Sequence, residues 1–273
     1  MNTSFADIEK KENRKDLIIS ICVFLSGFSC FAQLYYFQPL LPDLAKDFIL
    51  SASESSFAIS FSTLGMVFGL FTTMFVADRI PRKKMIGTGL LSSSIFSVAA
   101  SFSPTFLPLI LLSAAKGFLL SGATSVSMAY IAEEVSSRNK GKIMGLYIAG
   151  NALGGMAGRV ISSWIGALYT WRIASVSIGL ICALFAILFL LFSPRSTNFM
   201  PRKESFHTLI IANLQLITSK ALIPFYLTGG LILGVFIQLP GILSDQSTFQ
   251  FPGTLYPLYL FNVYIRYFRV DCD

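Results

Sequence analysis

The chain has 273 residues, 54% of them hydrophobic, with a mean hydropathy of +0.68, 26 Phe and only 14 acidic residues. That balance excludes a soluble domain, because a chain of this length has too few polar side chains to cover its long apolar runs. The 21 Lys and Arg leave a net charge of +7, yet they sit in short turns between apolar runs rather than along one face, so no nucleic-acid partner is expected.

Residues 1–16 mix acids with bases. They lead into an apolar run too long for the core of a secretory signal, with no small-residue cleavage site after it, so a retained cytoplasmic N-terminus is expected. Crossing the hydrocarbon takes roughly 20 apolar residues per helix. Leu17–Leu41, Ser55–Ala77, Met85–Phe102, Phe106–Ala132, Ile143–Tyr169 and Ile173–Phe192 are read as six such spans, which makes residues 17–193 a six-helix transmembrane bundle. Residues 194–220 form a polar cytoplasmic linker, in which His207, the only histidine, is expected to be solvated. Residues 221–239 form a candidate seventh helix. After Pro240 the character changes: residues 240–273 hold Pro252, Pro257, Arg266, Arg269 and four of the ten tyrosines. This tail is expected to be atypical of the preceding fold, as a frameshift or premature end would make it. An interfacial aromatic segment is the alternative.

The cations orient the bundle. Lys10, Lys11, Arg14 and Lys15 precede the first span, and Arg79, Arg82, Lys83 and Lys84 follow the second. Arg138, Lys140 and Lys142 follow the fourth, while Arg195, Arg202, Lys203 and Lys220 come after the sixth. The other side holds only Lys46 and Arg172. Cytoplasmic loops carry the Lys and Arg excess, so the N-terminus and the Asp78–Lys84 turn are placed in the cytoplasm.

Within the spans, small residues recur at every fourth position: Gly65, Gly69, Thr73 and Ala77; Gly89, Ser93, Ser97 and Ser101; Ser113, Gly117, Ser121, Ser125 and Ala129; Gly150, Gly154, Gly158, Ser162 and Gly166. Residues four apart share a helix face. In lipid, such faces let neighbouring backbones approach, so Gly150, Gly154 and Gly158 are expected to be packing glycines.

Two cations fall inside predicted spans, Lys116 and Arg159. Each lies ten residues from the outer end of its helix, about 15 Å deep at 1.5 Å per residue. Ionisable groups at that depth are read as functional by default, here as a site for an anionic group, with snorkelling or carbonyl bonding as the structural alternative. The acids of the spans lie at their ends, so a carboxylate for proton coupling would come from a partner or a separate half. Gln33, Tyr36 and Asn151 are polar groups placed to line a cavity or to bond between helices. Cys22, Cys30 and Cys182 lie inside spans and Cys272 in the tail, which suggests no disulfide framework. No nucleophile–base pair, metal-ligand cluster or phosphate-binding glycine loop is visible, so neither an enzyme nor a cofactor is expected.

Three motifs carry a resemblance to the major facilitator superfamily, and within it to bacterial drug/proton antiporters of the arabinose-efflux-permease-like branch, over residues 17–240. "GLFTTMFVADRIPRKK" (Gly69–Lys84) resembles the signature between the second and third helices, with Met74 and Pro81 at two of its usual glycines. "SAAKGFLLSG" (Ser113–Gly122) resembles the helix-four motif, with Ser113 at its arginine and Lys116 at its glutamine. "YIAGNALGGMAGR" (Tyr147–Arg159) is similar to the glycine-rich helix-five motif of antiporters.

The resemblance implies an all-α polytopic membrane protein, the N-terminal six-helix half of a major-facilitator fold plus a partial seventh helix. It implies secondary active export of a small molecule by alternating access, coupled to protons in an intact protein with a second half. It makes Asp78 and Arg79 a cytoplasmic gating latch supported by Arg82 and Lys83, and places Gln33, Tyr36, Lys116, Asn151 and Arg159 along the substrate or coupling path. The other expectation is a truncated, non-transporting product or a membrane-embedded interaction module.

Overall fold

The computed structural model describes residues 5–201, 219 and 222–231, with side chains from residue 12 onward. Most of the predicted linker, part of the seventh run and the whole of the 240–273 tail lie outside the described residues.

Eight helices follow one another in the unit Met1–Pro201: α1 (Phe5–Tyr35), α2 (Leu41–Asp47), α3 (Ala52–Ser55), α4 (Phe57–Val76), α5 (Arg82–Ser101), α6 (Phe106–Glu134), α7 (Lys140–Leu168) and α8 (Trp171–Phe192). Residues 223–231, inside the predicted seventh run, are also helical. The six long helices coincide with the six predicted spans. The first span differs, because it is broken: α1 ends at Tyr35, a short 3-10 turn covers Gln38–Leu40, and α2 resumes at Leu41. Pro39 and Pro42 fall in the first turns of the two short elements, where a missing N–H costs nothing, whereas in a continuous helix each would remove a bond. The small helix α3 is closed by a capping box, Glu54 N–H donating to Ser51 Oγ (3.2 Å) and Ser51 N–H to Glu54 Oε2 (2.8 Å).

Among the described residues, four segments are long and apolar enough to cross a bilayer by composition: Glu12–Asp47, Ala52–Arg79, Phe106–Glu134 and Trp171–Phe192. α5 and α7 have comparable length, 20 and 29 residues, but their apolar character is diluted by the glycines and serines with which they pack.

α6 lies between α4 and α5, while α1 lies between α7 and α8, and α5 meets α8 to close the two groups into one bundle. The core divides into two apolar clusters. One gathers Ile19, Val23, Ile86, Leu90, Leu120, Tyr130, Ile143 and Phe189; the other gathers Tyr36, Phe37, Leu44, Leu109, Trp171 and Ile178. Several buried polar residues fall between these groups along the helices: Ser29 and Gln33 on α1, Ser113 and Lys116 on α6, and Arg159 on α7. The bundle therefore carries a polar layer between two apolar ones. Its outer surface is apolar, with Leu64, Phe68 and Phe71 of α4 and Leu180, Leu184 and Leu191 of α8 exposed, as suits helices that face lipid.

Candidate functional site

The polar layer centres on the break in α1. Lys116 of α6 is fully buried, with its Nζ 4.5 Å from the centroid of the Tyr36 ring and 4.8 Å from that of Phe37. The two rings stack on each other at 4.2 Å. Arg159 of α7 is 2% exposed; its guanidinium lies 4.6 Å from the Tyr35 ring centroid, and its Nε donates to Gln38 Oε1 at 2.5 Å. The two cations predicted at equal depth thus both engage Tyr35–Gln38, one from α6 and one from α7. They do so through different rings, so they do not form a single two-cation clamp. A desolvated cation–π contact is worth about 2 kcal/mol, comparable to the roughly 2.5–3.5 kcal/mol for a cation at mid-bilayer on insertion scales. Rings alone offset most of that charge burial, but they supply no hydrogen-bond acceptor. Arg159 has Gln38. Lys116 Nζ has no hydrogen-bond acceptor, and the buried hydroxyl of Ser113 likewise makes no hydrogen bond.

Gln33 ties α1 to α5: Ser97 Oγ donates to its Oε1 at 3.1 Å, and its Nε2 donates to Ser29 Oγ at 3.4 Å. Asn151 sits elsewhere, in the contact of α7 with α1, where its Oδ1 and the Tyr147 carbonyl fill the space a Cβ at Gly27 would need. The same contact holds the glycine ridge. A Cβ on Gly150 would come within 2.6 Å of the Phe24 carbonyl oxygen, one on Gly158 within 2.7 Å of the Ala32 backbone, and one on Gly154 would overlap the Phe28 carbonyl. Both sides step by four residues, so the ridge follows α1 closely.

The second group of charges lies at the basic end. Arg82, 8% exposed, is its hub. It donates from Nη2 to Asp78 Oδ1 (2.9 Å) and Glu133 Oε1 (3.1 Å), from Nε to Glu133 Oε1 (3.2 Å), and from Nη1 to the Ala77 carbonyl (2.7 Å). Lys83 turns towards the end of α8: its N–H donates to Ser196 Oγ at 3.0 Å and its Nζ to the Ser193 carbonyl. Arg79 is exposed. Within this unit Asp78 is thus bonded to Arg82.

Glu133 and Glu134 were not singled out from sequence. The Glu134 side chain is fully buried and accepts from Lys15 Nζ (2.8 Å), Thr197 Oγ1 (2.8 Å) and Asn198 N–H (2.7 Å). Asp16 accepts from Asn139 Nδ2 at 2.8 Å and from the hydroxyl of Ser136 at 2.5 Å. These bonds join the start of α1, the α4–α5 turn, the end of α6 and the chain leaving α8. A readable signal existed: two consecutive acids at the C-terminus of a helix oppose its dipole and call for cationic partners. At the other end Asp47 accepts from Trp171 Nε1 (3.0 Å) and pairs with Arg172. An open groove of about 280 Å³ between α4, α5 and α6, lined by Thr73, Met85, Phe118 and Ser121, does not include Lys116 or Arg159.

Comparison with known proteins agrees with this architecture. The family model described as Major Facilitator Superfamily matches residues 20–266, extending beyond residue 240. An "Uncharacterized transporter" of Buchnera aphidicola (subsp. Schizaphis graminum) is 35% identical over 87% of this chain and 57% of its own length. The "Inner membrane transport protein YnfM" of Escherichia coli K12 is 35% identical over 81% of this chain and 53% of its own. The "Uncharacterized MFS-type transporter YybF" of Bacillus subtilis is 31% identical over 81% and 55%. The chain thus spans a little over half the length of these curated relatives. Among solved structures, a crystal structure of a D-xylose-proton symporter superposes with a TM-score of 0.63 over 92% of this chain and 65% of that one, at 16% identity, which speaks to the fold alone. A multi-pass helical bundle with an apolar outer face, matched over most of its length by this one family model and by relatives named as transporters, settles the family: the chain belongs to the major facilitator superfamily.

Proposed function

We propose that the chain is the N-terminal six-helix part of a secondary transporter that exports small molecules across the inner membrane by alternating access, coupled to protons when a second half is present. In this reading the basic end faces the cytoplasm, Asp78, Arg82 and Lys83 with Arg79 form a gate there, and the layer of Gln33, Tyr36, Lys116 and Arg159 lines the path. The observation that carries it is the pair of buried cations converging on the α1 break, in the middle of a bundle whose described acids all lie near its ends. Such a layer is costly in lipid and has little use to a purely structural bundle.

The test is export in everted membrane vesicles from cells expressing the chain joined to the C-terminal half of its Escherichia coli relative, with a panel of fluorescent anionic and cationic dyes and an imposed inside-acid gradient. The expected result is dye accumulation above that of empty membranes, collapsed by an uncoupler. Accumulation equal to empty membranes would remove the transport reading for this chain. Orientation is checked separately with Lys84→Cys, an exposed position, in a background lacking the four native cysteines. A membrane-impermeant maleimide is expected to label it in everted vesicles and not in intact cells.

A further inference from the structure

Lys116 differs from the other cations that the structure buries. Arg82 is met by two carboxylates and Arg159 by Gln38, whereas Lys116 Nζ lies against the Tyr36 and Phe37 rings and has no hydrogen-bond acceptor. An ammonium carries three donors, and rings satisfy its charge without satisfying those donors. Near it are the ring of Tyr36 from α1, the thiol of Cys182 from α8, whose charge interacts with the ammonium, and Ser113, three residues earlier on its own helix. The Ser113 hydroxyl is itself buried and makes no hydrogen bond, whereas the Tyr36 hydroxyl has Ser97 and Ser175 beside it. No carboxylate of a described residue is among them: the acids that the structure buries, Asp16 and Glu134, lie at the basic end with donors of their own. The three donors of the Lys116 ammonium are therefore not taken up by any bonded acceptor in this arrangement.

We propose that Lys116 is the recognition point for the carboxylate of the transported molecule, a small organic monocarboxylate, with the stacked Tyr36 and Phe37 rings standing in for that anion when the site is closed. The proposal rests on the transporter reading and names its substrate class. When the α1 break moves and the rings leave the ammonium, a carboxylate takes their place. One of its oxygens accepts from Nζ and the other from the Ser113 hydroxyl, which satisfies groups left idle in the closed form. One cation without an acceptor matches one carboxylate, and the released rings offer a flat apolar wall for the rest of the molecule.

The test is ligand-observed saturation-transfer NMR on the full chain in lipid nanodiscs, with benzoate as the probe and benzamide as its neutral isostere. Benzoate is expected to bind and benzamide to bind at least about tenfold more weakly, the loss expected when a charged hydrogen bond is removed. Lys116→Met is expected to abolish the preference and Lys116→Arg to retain it, while Lys46→Gln, at an exposed cation of α2, leaves it unchanged. Helical content by circular dichroism guards against misfolding, and the Lys116→Arg result keeps the test decisive if Lys116→Met fails to fold. Absence of benzoate binding to the native chain, equal binding of benzoate and benzamide, or a preference that survives Lys116→Met would each overturn the proposal. Binding is read without transport. A benzoate preference in a chain that exports nothing would leave the carboxylate site standing and remove only the transporter reading.

Discussion

Gly154→Val is expected to lower the unfolding free energy of the detergent-solubilised protein by about 3 kcal/mol, at the upper end of what overpacking usually costs. The reason is the identity of the obstructing atoms. A side chain at Gly154 runs into the backbone of α1 at Phe28, and backbone cannot rotate aside as a flexible side chain can. The two helices must separate along a contact where Gly150 and Gly158 are equally close to Phe24 and Ala32, so neighbouring contacts are lost with it. Gly145 supplies the control. It lies on the same helix, is exposed, and has open space where a Cβ would go. Gly145→Ala is therefore expected to be neutral or stabilising by up to about 1 kcal/mol, through helix propensity alone. Thermal unfolding followed by circular dichroism separates the two. Equal losses at both positions would mean that the glycines matter for helix flexibility and not for close approach.

Arg82→Ala should cost about 2–3 kcal/mol and, in the gating reading, abolish export as well. Removing this side chain leaves Asp78 and Glu133 facing each other without their shared cation, and it strips the Ala77 carbonyl of a donor. The loss stays below the roughly 3–5 kcal/mol of a fully buried pair, because the Asp78 and Glu133 side chains retain 39% and 26% exposure and water solvates part of their charge. Arg82→Lys keeps the charge but not the fork that reaches two carboxylates and a carbonyl at once, and is expected to recover about half the stability. A double-mutant cycle with Glu133→Gln measures the pair directly. A coupling energy near zero would show the contact to be incidental.

The legible part of this protein was its membrane architecture. Hydropathy runs are set by each residue's own transfer free energy, and they located all six long helices to within a few residues at most ends. The small residues four apart were visible for the same reason: helical periodicity is local. The first span shows where a local reading stops short. Its overall apolarity concealed a break that Pro39 and Pro42 mark, and the break presents Tyr35, Tyr36 and Gln38 to Arg159 and Lys116. From spacing alone the two cations read as one anion site at a common depth. The structure gives each its own ring, and only Lys116 is left with no hydrogen-bond acceptor.

What lay beyond the sequence was the choice of partners. Glu133 lies 51 residues from Arg82 in the chain, and Glu134 lies 119 from Lys15. Nothing in either segment names the other. The composition and order of residues by themselves determined that this chain crosses a bilayer repeatedly, where its basic turns fall, and which helix faces are smooth. Only the folded arrangement decided which smooth face meets which, because small residues fit any close neighbour equally well until helix order and tilt choose one. The same arrangement brought four distant acids and their donors to one end and left a lysine against two rings in the middle, since charge pairing depends on distances that exist only after the helices have packed.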